Sequence, residues 1–365
     1  MNNKIKIYIF HPYSVVGGAD TSLSRLINNL NKDNYEIDFI TITKNNLKLK
    51  KKIKIIRINS TRTIFSIFQI RKILKKDKDN KFKKYIFLSN QNFANIISFL
   101  ITFRLYWIKL CLIERNHLDE FKYNKSFKNF IIKILIKFLY KYADKIIGIS
   151  KKLSLDLKNF SQSNILTIYN PSFDKEIYKL SKERIFIKKN SFQKIILNVA
   201  RLEKQKDHLT LLRGFKESLK IIDSNLIIIG YGSKKKDISK FIEENNLESK
   251  VKILDKVSNP YPYYKKADLF ILTSLYEGFG NVLVEAAMFK IPIISTDCNS
   301  GPREILLNGK GGDLIKINNY KDLSEKIVNN LKSKNIVKTK IMKKSLDRFS
   351  LKKNIDSYTK VFKTI

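Results

Sequence analysis

The amino-acid sequence predicts an α/β protein built from two Rossmann-like halves, and three observations support this. Short runs rich in β-branched and aromatic residues alternate with longer amphipathic segments, a pattern typical of parallel sheets made of βαβ units. The alternation is interrupted once, near residues 170–191. The chain has 365 residues, of which 43% are hydrophobic, and this is enough for two domains with ordinary cores.

The individual elements follow from local patterns. In the first half, strands are predicted at residues 5–10, 35–42, 53–58, 85–88, 110–113 and 145–149. The clearest helices between them are predicted at residues 20–30, 64–76 and 126–142. In the second half, strands are predicted at residues 194–199, 225–229, 251–254, 269–272 and 292–295. Each half is therefore expected to form a parallel sheet covered by helices.

The interruption between the halves predicts a domain boundary. It opens with the turn signal Asn170-Pro171 and contains no clear strand. We therefore predict an N-terminal domain at residues 1–171, a linker at 172–190 and a C-terminal domain at 191–345. A helical pattern near the end predicts that residues 346–365 pack back on the N-terminal domain.

The charge balance is strongly basic. The chain has 72 Lys and Arg against 33 Asp and Glu, which gives a net charge of +39. Such an excess suits a polyanionic partner, such as an anionic membrane, a phosphorylated substrate or nucleic acid. A general lysine bias of the composition is the alternative. No nucleic-acid motif is present, and the aromatic residues lie mostly inside apolar periodic segments, so nucleic acid is not expected as a partner.

Cysteine content and hydropathy indicate a reduced, cytoplasmic protein. The two cysteines, Cys111 and Cys298, exclude a disulfide scaffold and a four-cysteine zinc site. The first apolar run is interrupted by Lys6, so no signal peptide is expected. No stretch reaches the ~20 apolar residues of a membrane span. A membrane role would therefore be peripheral.

Two loops at strand ends carry residue types that suit phosphate. The turn after the first strand contains Gly17-Gly18, and paired glycines let a phosphate or substrate approach the backbone near a helix start. The first strand of the second half is followed by Arg201 and Lys206. In open α/β sheets ligands bind beyond the carboxyl ends of strands, and two cations there can neutralise a diphosphate.

A glycine-punctuated loop with two carboxylates is the most specific feature. The predicted strand at 269–272 leads into a loop that contains Glu277, and a helix that starts near Gly280 carries Glu285. The amides of a helix start favour an anion. Carboxylates accept paired hydrogen bonds from sugar hydroxyls. This segment is therefore expected to bind a sugar and a ribose.

At this point the sequence resembles a known family. The stretch from Glu277 to Glu285 is similar to the Glu-x7-Glu element of family 4 retaining glycosyltransferases. The resemblance covers essentially the whole chain, in order. It includes the Arg201/Lys206 loop, the Gly17-Gly18 turn and residues 142–150, 168–171, 267–274 and 296–306.

The resemblance implies a GT-B fold, in which two Rossmann-like domains with parallel sheets face each other across a cleft. It implies that a nucleotide-sugar donor binds the C-terminal domain and that the acceptor binds the N-terminal domain. Arg201 and Lys206 would contact the donor diphosphate, Glu285 the ribose and Glu277 the transferred sugar. His117 matches a cleft histidine near the donor sugar, which implies a catalytic role. The expected donor site also includes Gly278, Phe279, Gly280 and Asn281, and Gly17 and Gly18 form the acceptor or phosphate loop.

No metal or other cofactor is expected. Preorganised cations and helix-start amides can stabilise the charge on the departing diphosphate. Asp77-Lys78-Asp79 is similar to the Asp-x-Asp that holds a divalent ion in other transferases. It lies in a lysine-rich segment far from the glycine loops in sequence, so we interpret it as a solvated helix end.

The expected substrates follow from a branch of the family. Residues 259–263 and 300–304 are similar to bacterial N-acetylgalactosaminyltransferases that act on polyprenyl-diphosphate-linked saccharides. This implies a UDP-sugar donor, with N-acetylhexosamine as the sugar, and a lipid-linked saccharide acceptor in surface glycan assembly. Two departures from the commoner pattern, Asp255 and Asp313, flank the expected donor pocket and are candidates for altering donor choice.

A lipid-linked acceptor would lie at a membrane, and the sequence predicts how the protein reaches it. Lysines repeat along the amphipathic segment 126–142, and a second basic segment, 64–76, contains Arg71. We expect the apolar face of segment 126–142 to pack in the core, so that lysine charge attracts an anionic membrane surface. The predicted location is cytoplasmic, peripherally bound to the inner membrane.

Two other functions compete with glycosyl transfer. A nucleotide-sugar epimerase of the same fold would release a changed donor without any acceptor. A nucleic-acid-binding protein would explain the net charge, but lacks support from motifs.

Overall fold

The computed structural model describes residues 2–14, 17–43, 47–49, 53–78, 82–185, 194–255, 257–333 and 336–365. The chain divides into two compact units. Unit 1 contains Met1–Pro171 together with Leu351–Ile365, and unit 2 contains Ser172–Ser350.

Unit 1 alternates strands and helices along most of its length. Its strands are β1 (Asn2–Phe10), β2 (Tyr35–Thr41), β3 (Lys54–Arg57), β4 (Phe82–Ser89), β5 (Ile108–Glu114), β6 (Lys145–Gly148) and β7 (Ile165–Thr167). Its helices up to residue 171 are α1 (Gly18–Asn29), α2 (Ile67–Lys76), α3 (Asn92–Thr102), α4 (Glu120–Tyr123), α5 (Phe127–Leu139) and α6 (Lys151–Ser161). Short 3₁₀ turns occupy Thr63–Ser66 and Tyr140–Tyr142.

The sheet of unit 1 is parallel, with strand order β3-β2-β1-β4-β5-β6-β7. The central strand β1 pairs with β2 and β4, so that Ile7 lies opposite Ile37 on one side and Ile86 on the other. Residues 7–10 of β1 are fully buried. This burial explains why the strand is a nearly continuous apolar run, as expected for a parallel sheet covered on both faces.

Unit 2 repeats the same plan. Its helices are α7 (Glu176–Leu180), α8 (His208–Ser218), α9 (Lys235–Glu244), α10 (Tyr261–Lys266), α11 (Asn281–Met288), α12 (Pro302–Ile305), α13 (Tyr320–Lys332) and α14 (Ile336–Ser345). Its strands are β8 (Lys194–Val199), β9 (Ser224–Ile229), β10 (Val251–Leu254), β11 (Leu269–Leu272), β12 (Ile293–Thr296) and β13 (Asp313–Ile315). Short 3₁₀ turns occupy Lys204–Lys206 and Leu346–Phe349, and unit 1 is completed by α15 (Leu351–Thr364).

The sheet of unit 2 is also parallel, with strand order β10-β9-β8-β11-β12-β13. The strand order reverses between β8 and β11, and this is the switch point at which doubly wound sheets bind ligands. One face of the sheet packs on α8 and α13, where Phe215 and Leu323 are fully buried. Side-chain caps start both helices: Asp207 accepts from the Thr210 amide, and Asn319 accepts from the Asp322 amide.

Each of the eleven predicted strands overlaps a strand of the structure, with bounds that differ by at most a few residues. The two strands missed by sequence reasoning, β7 and β13, are edge strands of three residues each. Such a short strand leaves almost no periodic pattern, and β13 also begins with a charged residue, Asp313. Strand β13 forms because it pairs with the buried strand β12, where Asp313 lies opposite Ile294.

The unit boundaries differ from the predicted ones. The described part of the predicted linker, residues 172–185, belongs to unit 2, and residues 186–190 lie outside the described residues. Helix α7 is anchored there because Ile177 is buried and the Tyr178 hydroxyl donates to the Met288 carbonyl at 2.9 Å. Residues 346–350 also lie in unit 2, and α15 lies in unit 1.

Candidate active site

Two loops of unit 2 follow the strands that flank the switch point. The first, residues 200–207, follows β8, and the second, residues 273–280, follows β11. Gln205 joins them, because its carbonyl accepts from the Leu275 amide and its side-chain amide donates to the Tyr276 carbonyl, both at 2.8 Å. Thr273 adds hydrogen bonds at 3.0 Å to the carbonyls of Lys206 and Asp207. These hydrogen bonds therefore hold the two loops side by side.

The contact between the two loops brings Lys206 and Glu277 together. Lys206 Nζ lies 2.5 Å from Glu277 Oε1, and the Ser274 hydroxyl donates to the same oxygen at 2.7 Å. Both Glu277 and Ser274 are buried, so the ion pair lies in a place with little water. A cation and a carboxylate in such a place attract each other more strongly than they would at the surface.

Arg201 lies in the same loop but is exposed. Its Nη2 donates to Gln205 Oε1 at 3.3 Å, so the residue that joins the two loops also orients Arg201. The predicted pair of cations, Arg201 and Lys206, therefore belongs to one hydrogen-bonded assembly.

The glycine loop is shaped by its backbone. Gly280 has a φ of +100°, which favours glycine, and α11 begins at the next residue. The Phe279 ring is buried edge-on against Phe349, with ring centroids 5.2 Å apart, and Asn281 Oδ1 accepts from the Ser172 hydroxyl at 2.8 Å. Gly278 accepts from the Ser300 hydroxyl through its carbonyl at 3.0 Å. The side chains of Phe279 and Asn281 thus hold the loop in place.

Glu285 is positioned by an aromatic stack. The Tyr264 hydroxyl donates to Glu285 Oε2 at 3.3 Å, and the Tyr264 ring stacks between Phe270 and Phe289. Burial raises the pKa of Tyr264 well above its usual value, so the hydroxyl stays a neutral donor. Sequence reasoning missed Tyr264 because nothing in its local pattern indicates a partner 21 residues away.

A second missed feature is the Gly-x-Gly turn after β9. A Cβ at Gly230 would lie 1.8 Å from the Ala200 carbonyl oxygen, and Gly232 is close to the Leu202 carbonyl. Only glycine permits this approach to the loop that carries Arg201. The signal was visible in the sequence, since two glycines directly follow a buried strand.

The remaining predicted site residues lie in unit 1. His117 is buried, its Nε2 lies 2.8 Å from Asp156 Oδ2, and its Nδ1 accepts from the Asp119 amide at 3.2 Å. These contacts fix the orientation of the ring. Gly17 is extended and precedes α1, which begins at Gly18; Val15 and Val16 lie outside the described residues.

Unit 1 also contains a buried polar network that sequence reasoning missed. His11, Asn90 and Arg115 directly follow β1, β4 and β5. His11 contacts Asp20 Oδ1 at 3.0 Å through Nε2 and the Asn90 side chain at 3.2 Å through Nδ1. The Arg115 guanidinium donates to Asn90 Oδ1 and, at 2.8 Å, to Asn170 Oδ1. A polar residue directly after each of three buried strands was the available signal.

Two acidic residues singled out in the sequence, Asp77 and Asp255, have structural partners. Asp77 ends α2 as predicted, but it is not simply solvated, since it accepts from the Tyr8 hydroxyl at 3.0 Å. Asp79 lies outside the described residues. Asp255 pairs with Lys235 at the surface.

Asp313 has a structural role as well. It is buried, accepts from Asn330 at 2.8 Å and pairs with Lys338 at 2.5 Å. The Asp313 carboxylate therefore links β13 to α13 and α14, although an apolar residue was expected at this position.

Comparison with known proteins identifies what the chain is similar to. Residues 181–348 match the family model described as Glycosyl transferases group 1. The chain is 33% identical over 241 residues to the N-acetylgalactosamine-N,N'-diacetylbacillosaminyl-diphospho-undecaprenol 4-alpha-N-acetylgalactosaminyltransferase of Campylobacter jejuni. The match covers 65% of this chain and 63% of that relative, so the chain spans about three fifths of the relative's length.

Two further similarities extend over more of the chain. It is 26% identical over 294 residues to the amylovoran biosynthesis glycosyltransferase AmsD of Erwinia amylovora, which covers 80% of each protein. The crystal structure of Anabaena Alr3699/HepE in complex with UDP and glucose superposes with a TM-score of 0.80 at 17% identity, over 98% of this chain and 99% of that one. The predicted GT-B fold and the resemblance to glycosyltransferases are confirmed.

Proposed function

We propose that the protein is a retaining glycosyltransferase of family 4. It transfers a sugar, an N-acetylhexosamine, from a UDP-sugar to a saccharide acceptor in bacterial surface glycan assembly. The observation that carries this proposal is the buried contact between Lys206 and Glu277 at the switch point of unit 2. The family match over residues 181–348 and the UDP bound in the Anabaena structure support it.

The proposed roles follow from charge and position. Lys206 and Arg201 stabilise the negative charge that develops on the departing diphosphate, and the dipole of α11 adds to them. Glu285, held by Tyr264, accepts hydrogen bonds from the ribose hydroxyls. Glu277 accepts hydrogen bonds from the transferred sugar and stabilises positive charge on it in the transition state.

The proposed reaction keeps the configuration at the anomeric carbon. The bond from that carbon to the diphosphate oxygen breaks while the acceptor oxygen bonds to the same face of the carbon. The acceptor proton passes to the departing diphosphate. The lysine and arginine charges supply the electrostatic stabilisation, so we propose that no metal is needed and that activity persists in excess chelator.

The acceptor is proposed by analogy with the Campylobacter relative, whose name specifies a diphospho-undecaprenol-linked substrate. We propose a polyprenyl-diphosphate-linked saccharide, held by unit 1 near the Gly17-Gly18 turn and His117. The buried network of His11, Asn90 and Arg115 lies at the same edge of the sheet.

A donor screen followed by a transfer assay tests the function. UDP-, GDP- and ADP-sugars are added in turn while thermal unfolding is followed, because a ligand that binds only the folded state raises the melting temperature. The expected result is stabilisation by a UDP-N-acetylhexosamine. Incubation of that donor with a polyprenyl-diphosphate disaccharide should then give a product whose anomeric proton shows retained configuration by NMR.

The same assay separates the alternatives. An epimerase would convert the donor in the absence of acceptor, so donor-only incubation is analysed for a second nucleotide-sugar. Conversion without acceptor, or no stabilisation by any nucleotide-sugar, would overturn the proposal.

A further inference from the structure

Helix α5 has two opposite apolar stripes. The inner one contains Ile132 and Ile136, which are buried. The outer one, hereafter the outer stripe, is 38% to 82% exposed although every member is large and apolar; it consists of Phe127, Phe130, Ile131, Ile134 and Phe138. Each member lies three or four residues from at least one other member, so all of them share one face of the helix. The prediction that the apolar face of this segment packs in the core is therefore correct only for the inner stripe.

Cations surround the outer stripe. Residues 122–142 contain six lysines and no acidic residue. Several of these lysines lie over aromatic rings: Lys128 Nζ is 4.6 Å from the ring centroid of Phe93, and Lys137 Nζ is 5.9 Å from that of Phe138. An ammonium group in this position is attracted electrostatically to the face of the ring.

The elements near α5 also expose aromatic side chains. Helix α3 packs against both α2 and α5. Phe65 in the 3₁₀ turn before α2, Phe68 in the first turn of α2 and Phe103 after α3 are exposed. Arg71 of α2 has another task than predicted, because its Nη1 donates at 2.9 Å to the carbonyls of Leu100, Ile101 and Phe103. Arg71 therefore caps the end of α3, and a charge-removal experiment should leave it in place.

We propose that the outer stripe of α5 docks on an anionic lipid bilayer. Its aromatic side chains enter the interface, and the flanking lysines contact the headgroups, as is typical of interfacial helices. The charge pattern favours a bilayer over a second copy of this chain, since pairing two such faces would bring lysines against lysines with no acidic residue among them. This proposal does not depend on the identity of the sugar substrates.

Docking by both aromatic insertion and charge changes the expected salt response. Purely electrostatic attraction would be lost at ~0.5 M NaCl, where the Debye length is only a few ångströms. Apolar insertion is not screened. Part of the binding to anionic vesicles should therefore persist at this salt concentration.

Vesicle co-sedimentation of the full chain tests the proposal. Vesicles of phosphatidylcholine alone and of equal parts phosphatidylcholine and phosphatidylglycerol are compared. The double variant Phe130→Ser/Phe138→Ser should bind the anionic vesicles at least tenfold more weakly. The matched controls Leu155→Ser and Ile221→Ser remove side chains that are 53% and 60% exposed but lie outside α5, and should bind as the unchanged protein does.

Charge and insertion are then separated. Lys128→Gln/Lys133→Gln/Lys137→Gln should weaken binding to anionic vesicles at low salt and leave the salt-resistant part. Phe130→Trp should shift its fluorescence to the blue on anionic vesicles, relative to the background of Trp107, and it keeps the test informative even if the serine variant folds poorly.

Three outcomes overturn the proposal: equal binding of the serine variant and the controls, no blue shift of the tryptophan variant, or a dimer in sedimentation velocity that the serine variant abolishes. The last result would assign the outer stripe to a second copy of the chain.

Discussion

Lys206 and Glu277 neutralise each other at a buried position, and this contact determines what each can do. Ser274 donates to the same carboxylate oxygen, which keeps Glu277 in one orientation. In the proposed complex, a sugar hydroxyl would donate to the Glu277 carboxylate, and a diphosphate oxygen would accept from the Lys206 ammonium group. In the proposed reaction the site is therefore polarised before the substrate binds, so that little reorganisation is needed.

Glu277→Gln tests the carboxylate. The change keeps the shape but removes the negative charge, so kcat should fall by roughly 10²-fold while KM for the donor changes little, because the lost interaction belongs mainly to the transition state. Steady-state kinetics with the donor identified by the screen measure both constants. Ser274→Ala is the control, since it removes one contact of Glu277 without its charge and should cost much less. An unchanged kcat in Glu277→Gln would show that the assigned role is wrong.

Arg201→Ala and Lys206→Ala test the phosphate contacts. Each should lower kcat/KM by ~10²–10³-fold, the usual cost of losing one preorganised charge stabiliser. Because both residues are proposed to act on one diphosphate, the double variant should lose less than the product of the single effects. Lys204→Ala, in the same basic loop, serves as the matched control. Activity retained without Arg201 and Lys206 would refute the assignment.

Glu114 gives unit 1 a pH-dependent stability. It is fully buried, and burial raises the pKa of its carboxyl to about 7, although Tyr140 and two backbone amides donate to it. A carboxyl whose pKa is higher in the folded state favours folding below its unfolded pKa, and this contribution is lost as the pH rises through 7. Between pH 5 and pH 8 the free energy of unfolding should fall by about 2 kcal/mol on account of Glu114.

Comparison with Glu114→Gln isolates this effect, because the variant cannot ionise at that position while all other groups titrate as before. Urea unfolding at pH 5 and pH 8 measures the difference. The unchanged protein should lose more stability than the variant over this range. Parallel pH dependence in the two proteins would mean that Glu114 does not titrate in it.

Among the elements, the loops after β8 and β11 show how far sequence reasoning reaches. The sequence predicted that Arg201, Lys206 and Glu277 lie in loops after strands and that Glu285 lies in the helix after the second loop, and the structure places them there. Their roles remain predictions. Gln205 and Tyr264 could not be predicted, because their importance comes from contacts with residues 71 and 21 positions away. Such pairs exist only once the parallel sheet places separate loops at one edge.

The loop that starts α11 depends on one close approach. A Cβ at Gly301 would lie 1.9 Å from the Phe279 carbonyl oxygen, and Gly301 has a φ of +85°. Gly301→Ala should therefore lower the free energy of unfolding through both backbone strain and steric overlap.

Gly309→Ala separates the two causes, because Gly309 has a φ of +89° but its Cβ would be 3.9 Å from the nearest atom. Gly309→Ala should cost ~1 kcal/mol from backbone strain alone. Gly301→Ala should cost about 2 kcal/mol more and lower kcat as well. Equal losses of stability in urea unfolding would contradict the proposed overlap.

At the scale of the whole molecule, the alternation of strands and helices was sufficient to predict two parallel sheets, and the linker was the least accurate part. Helix α7 is only five residues long, so it left no periodic signal. The two-sided character of α5 was equally hidden, because a helix that is apolar on opposite faces has the same composition as one buried all round. Only the structure shows which stripe is buried and which is exposed.

The net charge of +39 has a consequence for the stability of the whole chain. Self-repulsion among 72 cations opposes the compact state, whereas exposed ion pairs such as Lys240–Glu244 contribute little. Salt screens the repulsion, so the melting temperature should rise by several degrees between ~20 mM and ~0.3 M NaCl, at roughly 2–4 °C per kcal/mol. The rise should level off once the Debye length falls below ~6 Å, whereas salts that strengthen apolar burial act progressively. Differential scanning calorimetry in NaCl and in sodium sulfate distinguishes these two shapes. A melting temperature that stays constant or falls with NaCl would show that the basic residues are placed without net repulsion, and that their number reflects composition alone.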